Sequence, residues 1–164
     1  MIHALCLGGM VEPYDETLVN PASLDVRLGG TLLIESVQSP ALVPYPLEGH
    51  TESNPYMLAP GQFCLAQTVE TFSLPDHVAA QFMLKSSRAR EGLEHLMAGY
   101  CDPGWTGSVL TLELHNSRQL HPVALWPGMR IGQMVFHQMH ATPTLSYRTT
   151  GRYNGDATVQ ASKG

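Results

Sequence analysis

Six consecutive residues, Lys85-Ser86-Ser87-Arg88-Ala89-Arg90, carry three cations and two hydroxyls. Downstream, Ala98-Gly99-Tyr100-Cys101-Asp102-Pro103-Gly104-Trp105 supplies a carboxylate in a turn-rich setting. Thr111-Leu112-Glu113-Leu114 then places a second carboxylate between two leucines. A Glu inside an apolar strand pattern is costly to bury unless it is paired or does chemistry. The dense cationic cluster lies in a chain whose formal net charge is −5, so it points to an anionic ligand. Together these features suggest acid/base chemistry by a carboxylate on a phosphorylated compound.

Each motif has a plainer reading beside the chemical one. Ser86 or Ser87 fits the role of a helix cap. Cap hydroxyls and helix-start N–H groups beside Lys85, Arg88 and Arg90 also make a phosphate-binding arrangement. A solvated charged turn is the remaining alternative. No Gly-x-Ser-x-Gly elbow surrounds the serines, so they do not read as nucleophiles. Glu113 shares a strand face with Thr111 and Val109. It either faces water at a sheet edge or sits in an apolar site near Arg90 as a base usable at neutral pH.

A zinc-assisted reaction is not expected. The zinc deaminase pattern needs His-x-Glu followed by Pro-Cys-x-x-Cys, and neither half is present. His137 and His140 stand three apart in a strand pattern, which puts them on opposite faces. The histidines read as surface or core residues, and no metal-ligating set is assigned.

These groups need elements to hold them. Thr31–Val37, Gln62–Thr68, Val78–Lys85, Val109–Leu114, Pro122–Trp126 and Arg130–Gln138 mix β-branched and apolar residues with alternation and read as strands. Asn20-Pro21, Ala59-Pro60-Gly61, Asp102-Pro103-Gly104 and Trp126-Pro127-Gly128 are turn signals. Ser86–Leu93 is the one short helix candidate, ended by Gly92. The expected fold is all-β, a sandwich or barrel of short strands. The stretch from Tyr147 to Gly164 is polar with few apolar anchors, and reads as frayed or as a flap that orders on ligand.

The bulk numbers narrow the class. A length of 164 residues fits one domain with its own core. Charged residues are only 14% of the chain, which suggests surface buried against other subunits. No basic stripe is present, so nucleic acid is not an expected partner. No apolar run spans a membrane, and the N-terminus does not read as a signal peptide. Cys6, Cys64 and Cys101 are widely spaced, which argues against a disulfide framework and for a reducing, cytoplasmic location.

An ordered series of motifs resembles the dCTP deaminase branch of the dUTPase/dCTP deaminase superfamily. Pro21-Ala22-Ser23-Leu24-Asp25-Val26-Arg27-Leu28-Gly29 is similar to that family's Ser-x-Asp-x-Arg-x-Gly block. Leu58–Phe63 with Thr68-Val69-Glu70 resembles Pro-Gly-x-Phe followed by Thr-x-Glu. Lys85–Arg90 resembles basic-Ser-Ser-x-Ala-Arg, and Ala98–Gly107 resembles Ala-Gly-x-x-Asp-Pro-Gly-Trp-x-Gly. Thr111–Leu114 matches Thr-Leu-Glu-Leu, and Pro127–Gln133 matches Pro-Gly-Met-x-Ile-Gly-Gln.

The resemblance implies a distorted β-barrel or jelly roll of the dUTPase-like β-clip type, residues 1–146, with a C-terminal flap, 147–164, over the active site. It implies a homotrimer with active sites between subunits. The implied reaction is zinc-free hydrolytic deamination of dCTP to dUTP and ammonia, supplying pyrimidine deoxynucleotide synthesis, with Mg²⁺ carried on the substrate phosphates. By the same resemblance Glu113 is the general base, Ser86 and the Ala98 carbonyl hold the water or the amino group, and Arg90 lies beside Glu113. Asp102 would bind the sugar 3′-hydroxyl, and Lys85, Ser87 and Gln133 the phosphates. Tyr153 and Lys163 of the tail would also contact substrate.

Alternatives remain: a bifunctional enzyme that continues to dUMP and pyrophosphate, a deaminase of dCMP or a modified cytosine nucleotide, and a non-catalytic nucleotide-sensing barrel. A plain dUTPase is disfavoured by Glu113 and the Ser-Ser-x-Ala-Arg block. Four departures from the family pattern stand out, the first being a stretch from Arg90 to Asp102 that is one residue shorter than usual. The stretch from Gly107 to Glu113 is one residue longer than usual, which predicts a bulge around Ser108–Leu110. In the tail, Asp156 stands where Gln is usual, and Lys163 where Arg is common.

Overall fold

The computed structural model describes residues 2–164. A helical turn, α1 (Ile2–Leu5), leads to the short β1 (Val11–Glu12). The next strands are β2 (Leu24–Arg27), β3 (Thr31–Ser36), β4 (Ser39–Pro46) and β5 (Tyr56–Leu58). The long β6 (Phe63–Ser73) and β7 (Val78–Leu84) precede α2 (Ser86–Arg90). After it come β8 (Leu93–His95), β9 (Tyr100–Cys101), the long β10 (Thr106–Asn116), β11 (Val123–Leu125) and β12 (Arg130–Gln138). A last turn of helix, α3 (Tyr147–Thr150), opens the tail.

The strands form three antiparallel sheets. The largest runs β4-β3-β6-β10-β8, with β1 also on β6; a second runs β2-β12-β7-β9; β5 and β11 pair alone. The fold is thus mostly β, as its short alternating runs predict. In β10, Leu112 and Leu114 are fully buried while Thr111, Glu113 and His115 point to the other face. The apolar face packs with Leu24, Leu32, Leu58, Ile131 and Met134 in the main core. Each such side chain contributes roughly 1.5–3 kcal/mol on burial.

Several strands are not evident in the sequence. β4 carries Pro40, Pro44 and Pro46, a composition that argues against a central strand. It lies at the edge of its sheet, where a missing N–H is tolerated. β2, β5, β8 and β9 are each no longer than four residues and acquire their identity only from pairing.

The expected bulge region is irregular in two ways. Thr106 faces Ser73 while Ser108 faces Phe72, so Gly107 is an extra residue on β10. Its φ of +67° is the left-handed conformation that glycine takes without strain. Next, Val109 faces Thr71 while Thr111 faces Gln67, so Leu110 alone opposes Thr68, Val69 and Glu70. There Leu110 N–H donates to Thr68 Oγ1 at 2.9 Å. The surplus at this second step belongs to β6.

The serines of the cationic motif do not occupy the cap. Lys85 holds that position with extended φ/ψ, and Ser86 and Ser87 are the first helical residues. The helix ends at Arg90, and Gly92 follows at φ +95°. A Cβ at Gly92 would meet Arg118 Cγ at 2.3 Å.

The tail is a strap. Trp105 Nε1 and Ser108 Oγ both donate to the Tyr153 carbonyl, and Thr106 N–H donates to Asn154 Oδ1. Val159 is buried against Leu33 and Leu65 in a small second cluster, an apolar anchor that the polar composition conceals. No helix among the described residues is long and apolar enough to cross a membrane.

Candidate active site

Glu113 lies on β10 opposite Leu65 of β6, and its carbonyl accepts from Leu96 N–H at 3.2 Å. Its Oε2 is 3.2 Å from Nε2 of His95. The two atoms are close enough for a hydrogen bond but not aligned as one, and among the described residues neither has another partner. A buried acceptor and a buried ring nitrogen left facing each other are unusual in a folded core.

His95 is held from behind. Its ring packs on Phe82 with centroids 4.7 Å apart. Phe82 in turn rests on two glycines: a Cβ at Gly132 would meet the Phe82 ring at 2.1 Å, and one at Gly99 would meet Phe82 Cβ at 2.7 Å. Gly99 also accepts Phe82 N–H at 2.8 Å. This packing fixes the loop that follows β8, in which Met97 adopts φ +59°. Ala98 and Asp102, from that loop and the turn beyond it, then reach the same pocket as Glu113.

The turn Asp102-Pro103-Gly104 joins the loop to the tail. Trp105 N–H donates to the Asp102 carbonyl at 3.1 Å, and Tyr147 N–H to the Pro103 carbonyl at 3.0 Å. Gly104, at φ +86°, has Ser146 Oγ 2.1 Å from where a Cβ would stand, so α3 packs directly on the glycine.

Beyond α3 the strap crosses the face of β10 and β6. Thr158 Oγ1 and Val159 N–H both donate to Gln67 Oε1, at 2.9 and 2.7 Å, and Gln160 N–H donates to Thr111 Oγ1 at 3.3 Å. Between strap, loop and strand lies a cavity of about 650 Å³, large enough for a nucleoside. Val109, Thr111 and Glu113 all line it, as the shared strand face predicts. Among the described residues three carboxylates face it, Asp102, Glu113 and Asp156, and no Lys or Arg does.

Glu113, Ala98, Asp102 and Tyr153 therefore meet in one pocket. The cationic motif and Gln133 do not join them within the chain. Lys85 Nζ is 2.7 Å from Oδ2 of the buried Asp25, which also accepts from Asn20 Nδ2 at 2.8 Å. Gln133 Oε1 accepts from Ser23 Oγ at 2.8 Å. Ser86, Ser87 and Arg90 are on α2, away from the pocket wall. Arg90 was expected beside Glu113; within one chain His95 has that place, and Arg90 has no ion pair among the described residues. Lys163 binds Asp156, with Nζ 2.6 Å from Oδ1.

Nothing local in the sequence marks His95 as the neighbour of Glu113 or Asp25 as the partner of Lys85. The alternation of Leu93-Glu94-His95 hints that His95 points inward with Leu93, but only the pairing of Leu114 with His95 brings it to Glu113. The thiols are not chemical groups of the site. Burial pushes Cys64 and Cys101 up to about 12, so they stay protonated. Among the described residues no three His, Cys, Asp or Glu side chains group to hold a metal ion.

The family model described as dCTP deaminase-like matches residues 2–139. A dUMP-forming dCTP deaminase of Streptomyces avermitilis is 39% identical over 165 residues, covering 93% of this chain and 85% of that protein. The protein of the same description from Mycobacterium tuberculosis is 38% identical over 162 residues, covering 88% and 82%. Among solved structures, the 2′-deoxycytidine 5′-triphosphate deaminase of Agrobacterium tumefaciens superposes with a TM-score of 0.68 at 26% identity. The match covers 85% of this chain and 47% of that one, so this chain spans about half its length. The dUTPase of Staphylococcus aureus phage phi11 shares the fold, with a TM-score of 0.52 at 14% identity.

Proposed function

The chain belongs to the dCTP deaminase-like family, and from that membership we propose that it is a bifunctional enzyme converting dCTP to dUMP, ammonia and pyrophosphate. The relatives just described are named dUMP-forming. That supports the two-step reading over the simpler expectation of dUTP as the end product. The structural observation that carries the proposal is the convergence of Ala98, Asp102, Glu113 and the tail on one pocket.

In the first step Glu113 accepts a proton from water as the oxygen attacks C4 of the cytosine ring, and delivers it to N3. Glu113 then moves the proton of the new C4 hydroxyl to the amino group, the C4–N bond breaks, ammonia leaves, and the C4 oxygen becomes the carbonyl of uracil. The Ala98 carbonyl holds the water or the amino group, and Asp102 accepts a hydrogen bond from the sugar 3′-hydroxyl. In the second step water attacks the α-phosphorus and pyrophosphate leaves. Mg²⁺ would be carried by the substrate's phosphates rather than by protein side chains and would offset their charge, and the proposed chemistry calls for no zinc.

Among the described residues no Lys or Arg lines the pocket, and Lys163 at its wall is paired with Asp156. A triphosphate therefore draws its positive partners from elsewhere. We assign them to α2 of a neighbouring subunit: Lys85, Ser86, Ser87 and Arg90, with Gln133, complete the site in a homotrimer of barrel-like subunits. In that assembly Arg90 of one subunit reaches Glu113 of the next. Tyr153 and Lys163 belong to a flap, 147–164, that covers the bound nucleotide, and the protein works in the cytoplasm.

Incubation with dCTP, dCMP and dUTP plus Mg²⁺, with chromatographic separation of the products, tests the reading. dUMP, ammonia and pyrophosphate from dCTP are expected. Accumulation of dUTP alone would restrict the enzyme to the first step. Absence of turnover with every cytosine nucleotide would remove the deaminase reading and leave a nucleotide-sensing barrel.

A further inference from the structure

Asp156 enters the pocket from a segment tied to β10. Its N–H donates to Ser108 Oγ at 3.1 Å, and its carbonyl accepts from Val109 N–H at 2.9 Å. Both hydrogen bonds tie the backbone at the carboxylate to β10, and the side chain is only 14% exposed. Its partner is Lys163, whose Nζ lies 2.6 and 2.9 Å from the two carboxylate oxygens. The same ammonium donates to the Arg152 carbonyl at 3.1 Å and stands 5.0 Å from the centroid of the Tyr153 ring. The Lys163 N–H donates to Tyr153 Oη at 3.2 Å.

The tail's lysine is thus neutralised by an internal anion at the pocket wall. A nucleotide phosphate reaching this wall meets a fixed negative charge and a lysine already engaged. Two backbone hydrogen bonds to β10 oppose a retreat of Asp156. Lys163 can be shared, but only while one carboxylate still competes for it. The repulsion grows with each charge on the phosphate chain.

We propose that Asp156 is a specificity-determining residue that makes binding weaker for each added phosphate charge, by holding Lys163 and by repelling the polyphosphate. The inference rests on the reading that the pocket takes a deoxycytidine nucleotide.

The test compares the KM of dCTP with the inhibition constant of dCMP, in wild-type protein and D156N, at one fixed Mg²⁺ concentration. D156N should lower the KM of dCTP by about three- to tenfold and move the dCMP constant less than about twofold. K163M, which leaves Asp156 unpaired, should raise the KM of dCTP by about tenfold or more, and D156N/K163M should bring it back toward the wild-type value. A role in folding the tail alone would shift both ligands together. Equal shifts, no shift, or a higher dCTP KM in D156N overturns the inference while wild-type turnover leaves the functional reading intact. Wild-type protein that neither turns over dCTP nor responds to dCMP overturns both.

Discussion

His95 Nε2 faces Glu113 Oε2 at 3.2 Å across the wall of the pocket, and among the described residues neither atom has another partner. The histidine comes from β8 and the carboxylate from β10, and the pairing of Leu114 with His95 brings them together. Glu113→Gln keeps the shape and removes the proton acceptor. Turnover of dCTP should fall by about 10²–10⁴-fold, while nucleotide binding measured by calorimetry stays within a few-fold of wild type. Activity retained in this variant would exclude Glu113 as the base.

His95 touches Glu113 but does not itself line the pocket, so its expected role is to orient the carboxylate. His95→Phe preserves the packing on Phe82 and removes the ring nitrogen. Steady-state kinetics should show a loss of kcat of about tenfold with KM little changed, since a misplaced group weakens the transition state more than binding. An effect on KM alone would argue that the histidine shapes the nucleotide pocket only.

Gly132 sits under the Phe82 ring, with no room for a methyl group. Phe82 is itself buried and packed on His95, so it cannot yield freely. Gly132→Ala should destabilise the protein by about 1–3 kcal/mol, read from urea denaturation. Its kcat should fall along with stability, because the displaced ring carries His95 with it.

Val159 pins the strap to Leu33 and Leu65. Val159→Asp puts a charge where no partner exists and should release the strap locally while the sheets stay folded. Limited proteolysis should cut the variant after residue 150 faster than wild type. Turnover should drop by at least about tenfold, as expected for a segment that encloses substrate. Unaltered turnover would remove the tail from the site.

The buried thiols predict an alkaline limit. Cys64 and Cys101 are raised from 9.0 to about 12 by burial. Above pH 9 the unfolded chain has released protons that the folded chain still holds, so stability falls as pH rises. The contribution is complete below pH 9 and is lost as pH climbs toward 12. The melting temperature followed from pH 8 to 11 should decline, and Cys64→Ala should make that decline shallower.

What could be read from residue order alone follows from local physics. The alternation of Leu112, Glu113 and Leu114 sets which side chains share a face, and that holds in β10. Gly92, Gly104 and Gly107 mark turns and a bulge because their positive φ values favour glycine. The ordered motifs are legible as a family, and the irregularity expected at Ser108–Leu110 is present, although the surplus there lies on β6 and the extra residue of β10 is Gly107. Tertiary structure decided the neighbours. Lys85 looks like a free cation in its motif but is bound by Asp25, sixty positions away. His95 looks like one scattered histidine until strand register sets it against Glu113. Asp156 looks like an isolated acid near a phosphate site until the strap folds back and gives it Lys163. These pairs depend on register, bulges and chain reversal, which sum over many residues, so no local spacing records them.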